Sequence, residues 1–282
     1  MNQKVSAVVL NYNSRIDCER CLRYLSKQQY DNLEIIIVDN ASPDPDEKKA
    51  LQELALQYHA ELILNSVNNG FSAGNNLGLR KAIENKADWC MIINPDVELR
   101  DINYIKDILD IQKSWPESIV IGSDVRLPSG ERQNPQRETT YLEGFLWPIE
   151  MLKSKLTKKK NMYLQDDVTG YCDKVCGACF FIKASAAKEM GYLDENVFMY
   201  SEEAILSANV RRLGKKLLYV SGVTANHEHY TAKKANSAER MIKFLKSREY
   251  YYVNYGELNS LKLMLMRLSL FLESIYWQLR GD

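Results

Sequence analysis

Ile92-Ile93-Asn94-Pro95-Asp96-Val97-Glu98 is an apolar run that stops at two carboxylates. Asp96 and Glu98 are hard oxygen donors, suited to Mg²⁺ or Mn²⁺ bridging a diphosphate. Placed at the exposed end of a buried strand, they would sit where open α/β sheets bind ligands, just outside the carboxyl ends of the strands. In isolation an acidic turn closing a strand is the plainer account, and the surrounding residues decide between the two. A second pair of acids stands in Phe198-Met199-Tyr200-Ser201-Glu202-Glu203, which leads into a helical pattern ending near Leu213-Gly214. Glu202 and Glu203 would occupy a helix amino terminus, where negative charge is favoured. They read either as ordinary first-turn acids or as a general base at the floor of an acceptor cleft. Leu217 to Val220 reads as a strand, followed by Asn226-His227-Glu228-His229 with two of the chain's three histidines. A neutral imidazole there would be a metal ligand and a protonated one a phosphate partner; ordinary surface histidines are the alternative.

The elements that must position these groups alternate. Strands are expected at 5–10, 33–38, 61–65 and 89–93. Helical patterns are expected from Cys18 to Gln28 with Leu22 and Leu25 inward, from the turn at Ser42-Pro43-Asp44-Pro45-Asp46-Glu47 to about Tyr58, and to about Asn85. Such βα units predict a mostly parallel sheet with right-handed crossovers. The strand ends Asn11-Tyr12-Asn13, Asp39-Asn40-Ala41-Ser42 and Asn94-Pro95-Asp96 would then lie side by side in one crevice. Asp39 could accept hydrogen bonds from ribose hydroxyls or a base N–H, and the Asn13 amide could donate and accept. The loop Asn68-Asn69-Gly70-Phe71-Ser72-Ala73-Gly74-Asn75-Asn76 opens a helix but matches neither the P-loop nor the dinucleotide-binding pattern. Gly70, Gly74 and Gly78 serve tight turning and close packing, while Asn75 and Asn76 either cap the helix or hold the loop over a nucleotide. Val175 to Ile182 reads as a strand preceded or bent at a glycine.

Composition narrows the class. The chain has 282 residues, 45% apolar and 26% charged, enough for one large or two modest domains. Thirty-seven basic and thirty-seven acidic residues cancel, so no overall basic field recruits nucleic acid. Val5 to Leu10 is too short for a signal h-region, no apolar run reaches the length of a membrane span, and the expected location is the cytoplasm. The six cysteines are expected to be reduced. Cys18 and Cys21 fall in a helical pattern and Cys176 and Cys179 near a strand, so structural thiols are favoured over a zinc site that also draws on Cys172.

Taken together, these residues resemble the inverting glycosyltransferases of family 2. The segments that carry the resemblance are Val9-Leu10-Asn11-Tyr12-Asn13, Ile37-Val38-Asp39-Asn40-Ala41-Ser42, Asn69 to Asn76, Ile93-Asn94-Pro95-Asp96, Cys176-Gly177-Ala178-Cys179 and Met199-Tyr200-Ser201-Glu202-Glu203, in order over about residues 4–230. The loop at Asn69 to Asn76 is similar to the rhamnosyltransferase-like branch of bacterial envelope polysaccharide enzymes. The resemblance implies a GT-A (Rossmann-like) α/β fold, with a catalytic domain at 1–230 and a helical extension at 231–282. Within the domain it implies a nucleotide-binding half at 1–100 and an acceptor half at 101–230, with an insert near 140–170. It implies that Asn94-Pro95-Asp96 replaces the family's D-x-D motif, with Asp96, Glu98 and His227 toward Mg²⁺ or Mn²⁺. Asn11, Tyr12, Asn13, Asp39, Asn69, Gly70, Asn75, Asn94 and Asp96 would hold a UDP- or dTDP-linked sugar. Glu203, beside Glu202, takes the place of the catalytic base, and Gly177 and Ala178 face the acceptor. The usual Asp and Arg later in that helix are Ile205 and Asn209 here.

The implied activity is transfer of a sugar, with inversion, to an acceptor hydroxyl of a saccharide that can be lipid-linked, in capsule, O-antigen or exopolysaccharide synthesis. A nucleotide-sugar-binding protein without catalysis and a nucleotide-sugar hydrolase are the alternatives. A nucleotidyltransferase would instead show a basic glycine-rich loop after the first strand. Two regions lie outside this scheme. Lys153 to Lys160 reads as a solvated loop or helix face, with attraction to anionic lipid as the alternative. The apolar tail from Leu258 to Leu279 is interrupted by Lys262, Arg267, Glu273 and Arg280, so it should not span a bilayer. It would pack on the catalytic domain, form a homodimer, or lie in the membrane interface near Trp277 at the inner face of the cell membrane.

Overall fold

A computed structural model of the chain describes residues 3–157, 164–228 and 237–280. The first half runs β1 (Val5–Asn11), α1 (Arg15–Leu25), β2 (Leu33–Asp39), α2 (Pro45–Gln57), β3 (Glu61–Leu64), α3 (Phe71–Glu84) and β4 (Trp89–Ile93). There follow β5 (Val97–Glu98), α4 (Tyr104–Gln112), β6 (Ser118–Arg126), α5 (Tyr141–Phe145), α6 (Trp147–Thr157), β7 (Gly170–Cys172), β8 (Cys179–Lys183), α7 (Ala184–Glu189), α8 (Glu202–Arg212) and β9 (Lys216–His227). Two helices, α9 (Ser237–Asn254) and α10 (Ser260–Arg280), close the chain.

The strands form one sheet in the order β3-β2-β1-β4-β8-β6-β9-β5, with β7 on β9. β1 to β4 are mutually parallel, β8 runs antiparallel between β4 and β6, and β6 is parallel to β9. Thus β1, β2, β3, β4, β6 and β9 point one way, as the βα repeats predict. Alternating side chains of each central strand enter two cores, as the period of a strand requires. Val5, Ala7, Val9, Ile35 and Ile37 meet α1, α2 and α4; Val8, Ile36 and Val38 meet α3, α7 and α8. α3 lies tight on β1 because Gly78 has no side chain: a Cβ there would stand 2.3 Å from Val8 Cγ1.

Several boundaries differ from expectation. The stretch Val175–Ala178 is not strand; β8 begins at Cys179. Its backbone groups are committed elsewhere, to side chains of the site described below. β9 extends beyond Val220 to His227, which makes the histidine the last residue of a strand and not part of a following loop. β6 and α4 were not anticipated, although Ile119-Val120-Ile121 and the stripe Tyr104, Ile105, Ile108, Leu109 carry the strand and helix periods. The insert is helical: Thr140 and Glu143 form a capping box that starts α5, and α6 follows. Lys158, Lys159 and Lys160 of the basic run, and His229, lie outside the described residues.

α9 and α10 pack together and against α5 through a third core of Leu245, Tyr252, Met266 and Leu270, flanked by Tyr141 and Phe145. Trp277 belongs to this packed side, with its indole N–H buried. α9 is fastened to the sheet domain by polar contacts. Tyr250 and Tyr255 donate to Asp194 at 2.8 and 2.6 Å, and Ser247 Oγ donates to the Met199 carbonyl at 2.7 Å. All six cysteines are free, and burial raises their thiol pKa values, to about 12 at Cys176 and Cys179.

Candidate active site

The ends of β1 and β2 are in register, with Asn11 beside Asp39. Both are fully buried. Asp39 accepts from Ser42 Oγ at 2.5 Å, Ser42 N–H at 3.2 Å and Asn11 Nδ2 at 3.3 Å. Its carboxylate therefore braces the turn at Asn40–Ser42 from below. Tyr12 and Asn13 are exposed above it. Asn13 adopts a left-handed conformation (φ 51°) and donates its N–H to Ser42 Oγ at 2.9 Å. Side-chain amides continue the floor: Asn40 donates to Asn68 Oδ1 at 3.0 Å and accepts from Asn65 at 3.0 Å.

The glycine-rich loop is held by the segment that precedes α8. Gly70 has φ 102°, and a Cβ on it would lie 2.2 Å from the Phe198 carbonyl oxygen. Phe71 N–H donates to that oxygen at 2.9 Å. Asn69 is exposed at the tip of the loop. Neither following asparagine caps α3, whose N-cap is Gly70. Asn75 turns back onto the Phe71 carbonyl, and its buried Oδ1 has no hydrogen-bond partner. Asn76 is pinned between Leu193 and Glu195.

β4 ends at Ile93, and Asn94 N–H donates to the Ala178 carbonyl at 2.8 Å. The tight turn that follows delivers Asp96, whose backbone carbonyl accepts from Glu228 N–H at 2.9 Å. Because β5 pairs with β9 at Val97 and His227, the Asp96 carboxylate meets the His227 ring: Oδ1 lies 3.3 Å from Nε2. Nδ1 of the same ring lies 2.7 Å from Gln133 Oε1. An amide oxygen only accepts, so Nδ1 carries a proton, and Nε2 is the ring atom turned toward the carboxylate. With Nε2 unprotonated, that nitrogen and the Asp96 carboxylate would form a donor set that fits a divalent cation, the outer ring nitrogen being fixed by a hydrogen bond. No group of three or more His, Cys, Asp or Glu among the described residues could hold a metal. A cation here would complete its shell with diphosphate oxygens and water, as Mg²⁺ commonly does. Glu98 does not join this pair; its buried carboxylate accepts from Arg100 Nε at 2.9 Å.

Glu202 and Glu203 start α8 after two consecutive left-handed residues, Tyr200 (φ 73°) and Ser201 (φ 66°), a strained conformation for side-chain-bearing residues. Gly177 N–H donates to Glu203 Oε1 at 3.3 Å. Cys176 N–H donates to Asn134 Oδ1 at 2.6 Å. The stretch 176–178 is thus a strut: Ala178 holds Asn94, two residues from Asp96, while Gly177 holds Glu203. Glu202 is more enclosed. Its Oε2 is buried without a partner; burial first, and the Glu203 charge second, push its carboxyl up to about 8. Both causes favour the protonated form of Glu202. Phe71, Val175, Phe180, Leu193 and Leu206 wall the small pocket around the two acids. Ile205, in place of the family's Asp, is buried, and with Asn209 it lines a crevice beside Asp194.

Gln133, Asn134 and Ser42 were not anticipated as site residues. Gln133 and Asn134 follow β6 in a loop, about ninety residues before His227, and no local pattern connects them to it.

Comparison with known proteins agrees with this architecture. The family model described as Glycosyl transferase family 2 matches residues 6–191. The chain is 27% identical over 217 residues to the low-salt glycan biosynthesis hexosyltransferase Agl10 of Haloferax volcanii, covering 75% of this chain and 63% of that protein. It therefore spans less than two thirds of that relative's length. It is 24% identical over 242 residues to the N-acetylglucosaminyl-diphospho-decaprenol L-rhamnosyltransferase of Mycobacterium tuberculosis, covering 80% of this chain and 76% of that one. Among solved structures, the mannosyltransferase PcManGT from Pyrobaculum calidifontis, in complex with GDP-Man and Mn²⁺, superposes with a TM-score of 0.62 at 14% identity, covering 100% of this chain and 71% of the other. GalNAc-T7 with UDP, GalNAc and Mn²⁺ gives 0.66 at 16% identity, covering 90% and 49%. At such identities the structural likeness establishes the GT-A fold. The matched family model covers the strand ends β1, β2 and β4 and the strut at 176–178, and the chain belongs to glycosyl transferase family 2.

Proposed function

We propose that the protein transfers a sugar from a nucleoside-diphosphate donor to an acceptor hydroxyl with inversion, in the synthesis of bacterial cell-surface polysaccharide. The observation that carries this reading is the strut at 176–178, which joins the Asp96–His227 pair to Glu203 along one edge of the sheet. Tyr12, Asn13 and Asn69 are exposed at the rim of that edge, where a nucleoside would lie, above the floor built on Asn11 and Asp39. Asp96 and His227 would hold Mg²⁺ or Mn²⁺, which as a Lewis acid neutralises charge on a departing diphosphate. Glu203 takes the proton of the acceptor hydroxyl as that oxygen bonds to the anomeric carbon and the bond to the diphosphate oxygen breaks. A single displacement inverts the configuration. Gly177 N–H fixes one oxygen of the base, and the burial of Glu202 disfavours a second charge beside it. A donor of this kind is a UDP- or dTDP-linked sugar, which points to the cytoplasm.

Glu203→Gln should lower turnover by about 10²–10⁴-fold, the usual worth of a positioned base, while calorimetric titration finds nucleotide binding in the presence of Mn²⁺ retained. Asp96→Ala should lose the Mn²⁺-dependent part of that binding. Unchanged turnover in Glu203→Gln removes that residue from the base role. Release of nucleoside diphosphate at full rate with no acceptor present would favour a nucleotide-sugar hydrolase.

A further inference from the structure

α10 is packed on one side only. Its inner side presents Met266, Leu270 and Glu273 to the third core. Its outer side carries Leu261, Met264, Leu268, Phe271, Leu272 and Leu279, each more than half exposed. Steps of three and four residues keep these on one stripe, about 27 Å long at the helical rise. A second exposed stripe runs alongside: Leu142, Leu146, Ile149, Leu152 and Leu156 of α5 and α6. The helices are neighbours along their length, since Tyr141 donates to the Lys262 carbonyl, Ser269 donates to the Phe145 carbonyl, and the Trp147 and Tyr276 rings lie 5.2 Å apart. α6 has no buried residue at all. An apolar surface of this extent exceeds what soluble monomers normally leave bare.

The unpaired charges beside the stripes are positive, since Glu249 of α9 is taken by Arg267 at 2.7 Å and Glu150 of α6 by Lys153 at 2.7 Å. Lys262, Arg267 and Arg280 flank the apolar side of α10, and Lys155 stands exposed on α6. The single acid of α10, Glu273, is buried behind them. No described helix is long and apolar enough to cross a membrane. An apolar stripe edged by cations is the form of a helix that lies in the plane of an anionic bilayer. A second copy of the chain, placed symmetrically on this face, would bring Lys262, Arg280 and Lys155 toward the same cations, while the exposed acid beside them, Glu249, is already paired with Arg267.

We propose that the outer face of α10, with α5 and α6, docks on anionic lipid. The proposal stands apart from the glycosyl-transfer reading; its consequence for that reading is positional. α9 packs on α10 and is bonded through Ser247 to Met199 and through Tyr250 to Asp194, in the segment that leads into Glu202 and Glu203. A docked face would therefore set the acceptor side of the site close to hydroxyls carried at the membrane surface.

Co-sedimentation of the whole chain with vesicles tests this. The protein should pellet with equimolar phosphatidylglycerol and phosphatidylcholine, much less with phosphatidylcholine alone, and less at high salt. Leu268→Asp with Phe271→Asp should lower binding about tenfold or more, because apolar area no longer leaves water. Both positions are exposed, so the circular dichroism melt should hold. Lys155→Glu with Lys262→Glu, which alters only charge, should weaken binding to the anionic vesicles specifically. Absence of binding to anionic vesicles, or binding undiminished in both double variants, overturns the proposal. So does a dimer in analytical ultracentrifugation that Leu268→Asp with Phe271→Asp dissociates while vesicles bind neither form. Transfer to a water-soluble acceptor without vesicles tests the catalytic reading separately.

Discussion

Glu202 has a buried carboxyl oxygen with no partner, while its neighbour Glu203 is held by the Gly177 N–H. The folded carboxyl of Glu202 titrates near 8, against 4.5 when unfolded. The native state therefore binds the extra proton, and the associated stability is present below the unfolded value and lost as pH rises toward 8. Glu202→Gln should melt higher than the parent at about pH 8, with the difference closing by about pH 4. Scanning calorimetry across that range checks the sign. Gln133 belongs to the same scale. Its amide oxygen fixes the His227 ring from the side away from Asp96. Gln133→Leu should weaken nucleotide-dependent Mn²⁺ binding by about 10–100-fold, the common effect of losing such an orienting partner, measured by electron paramagnetic resonance of free Mn²⁺. The sequence displayed Asp96, His227 and Glu203 by type. It gave no sign of Gln133, because an amide in a loop is unremarkable until the fold brings a histidine to it.

The glycine-rich loop shows what elements add. By sequence, its residues serve tight turning, close packing and capping, or hold the loop over a nucleotide. The structure assigns Gly78 to the approach of α3 on β1 and Gly70 to the approach of Phe198. Gly70→Ala would place a methyl group inside the Phe198 carbonyl and demand a left-handed alanine. A cost of roughly 1–3 kcal/mol is expected in urea unfolding. Because Phe198 leads into Tyr200 and Ser201, transfer activity should fall further than stability alone explains. The segment 175–178 shows the opposite case. Its apolar residues suggest strand, but its N–H groups serve Asn134 and Glu203 instead of a ladder. A local pattern registers apolarity and does not register which partner takes a backbone donor.

At the scale of the whole molecule, α9 couples α10 to the segment of the sheet domain that leads into α8. Asp194 accepts from Tyr250 and Tyr255, and its carboxyl is held below the usual range by the Tyr255 hydroxyl and the Asn196 N–H, against the opposing effect of burial. A lowered carboxylate pKa gives stability that is present above the unfolded value near 3.8 and lost as pH falls through the folded one. Tyr250→Phe with Tyr255→Phe should lower stability by about 1–3 kcal/mol at neutral pH, and the difference should shrink in acid. Hydrogen exchange should rise first in α9. If those helices dock on lipid, the same double variant should keep vesicle binding while losing the link to the site.

The βα rhythm was legible in the chain because period-two and period-3.6 patterns are local, and so was the family, because its motifs are short and ordered. Polar residues at the ends of β1, β2 and β4 likewise stood out as a set, and the register of β1 with β2 and β4 brings these ends to one edge. Which of them would face solvent was not local information. Asp39 turned inward under Ser42, Glu98 went to Arg100, and Asp96 met a histidine 131 residues away through the pairing of β5 with β9. Those outcomes depend on strand order and on competition among neighbours for each hydrogen bond. Such competition exists only once the chain has closed on itself.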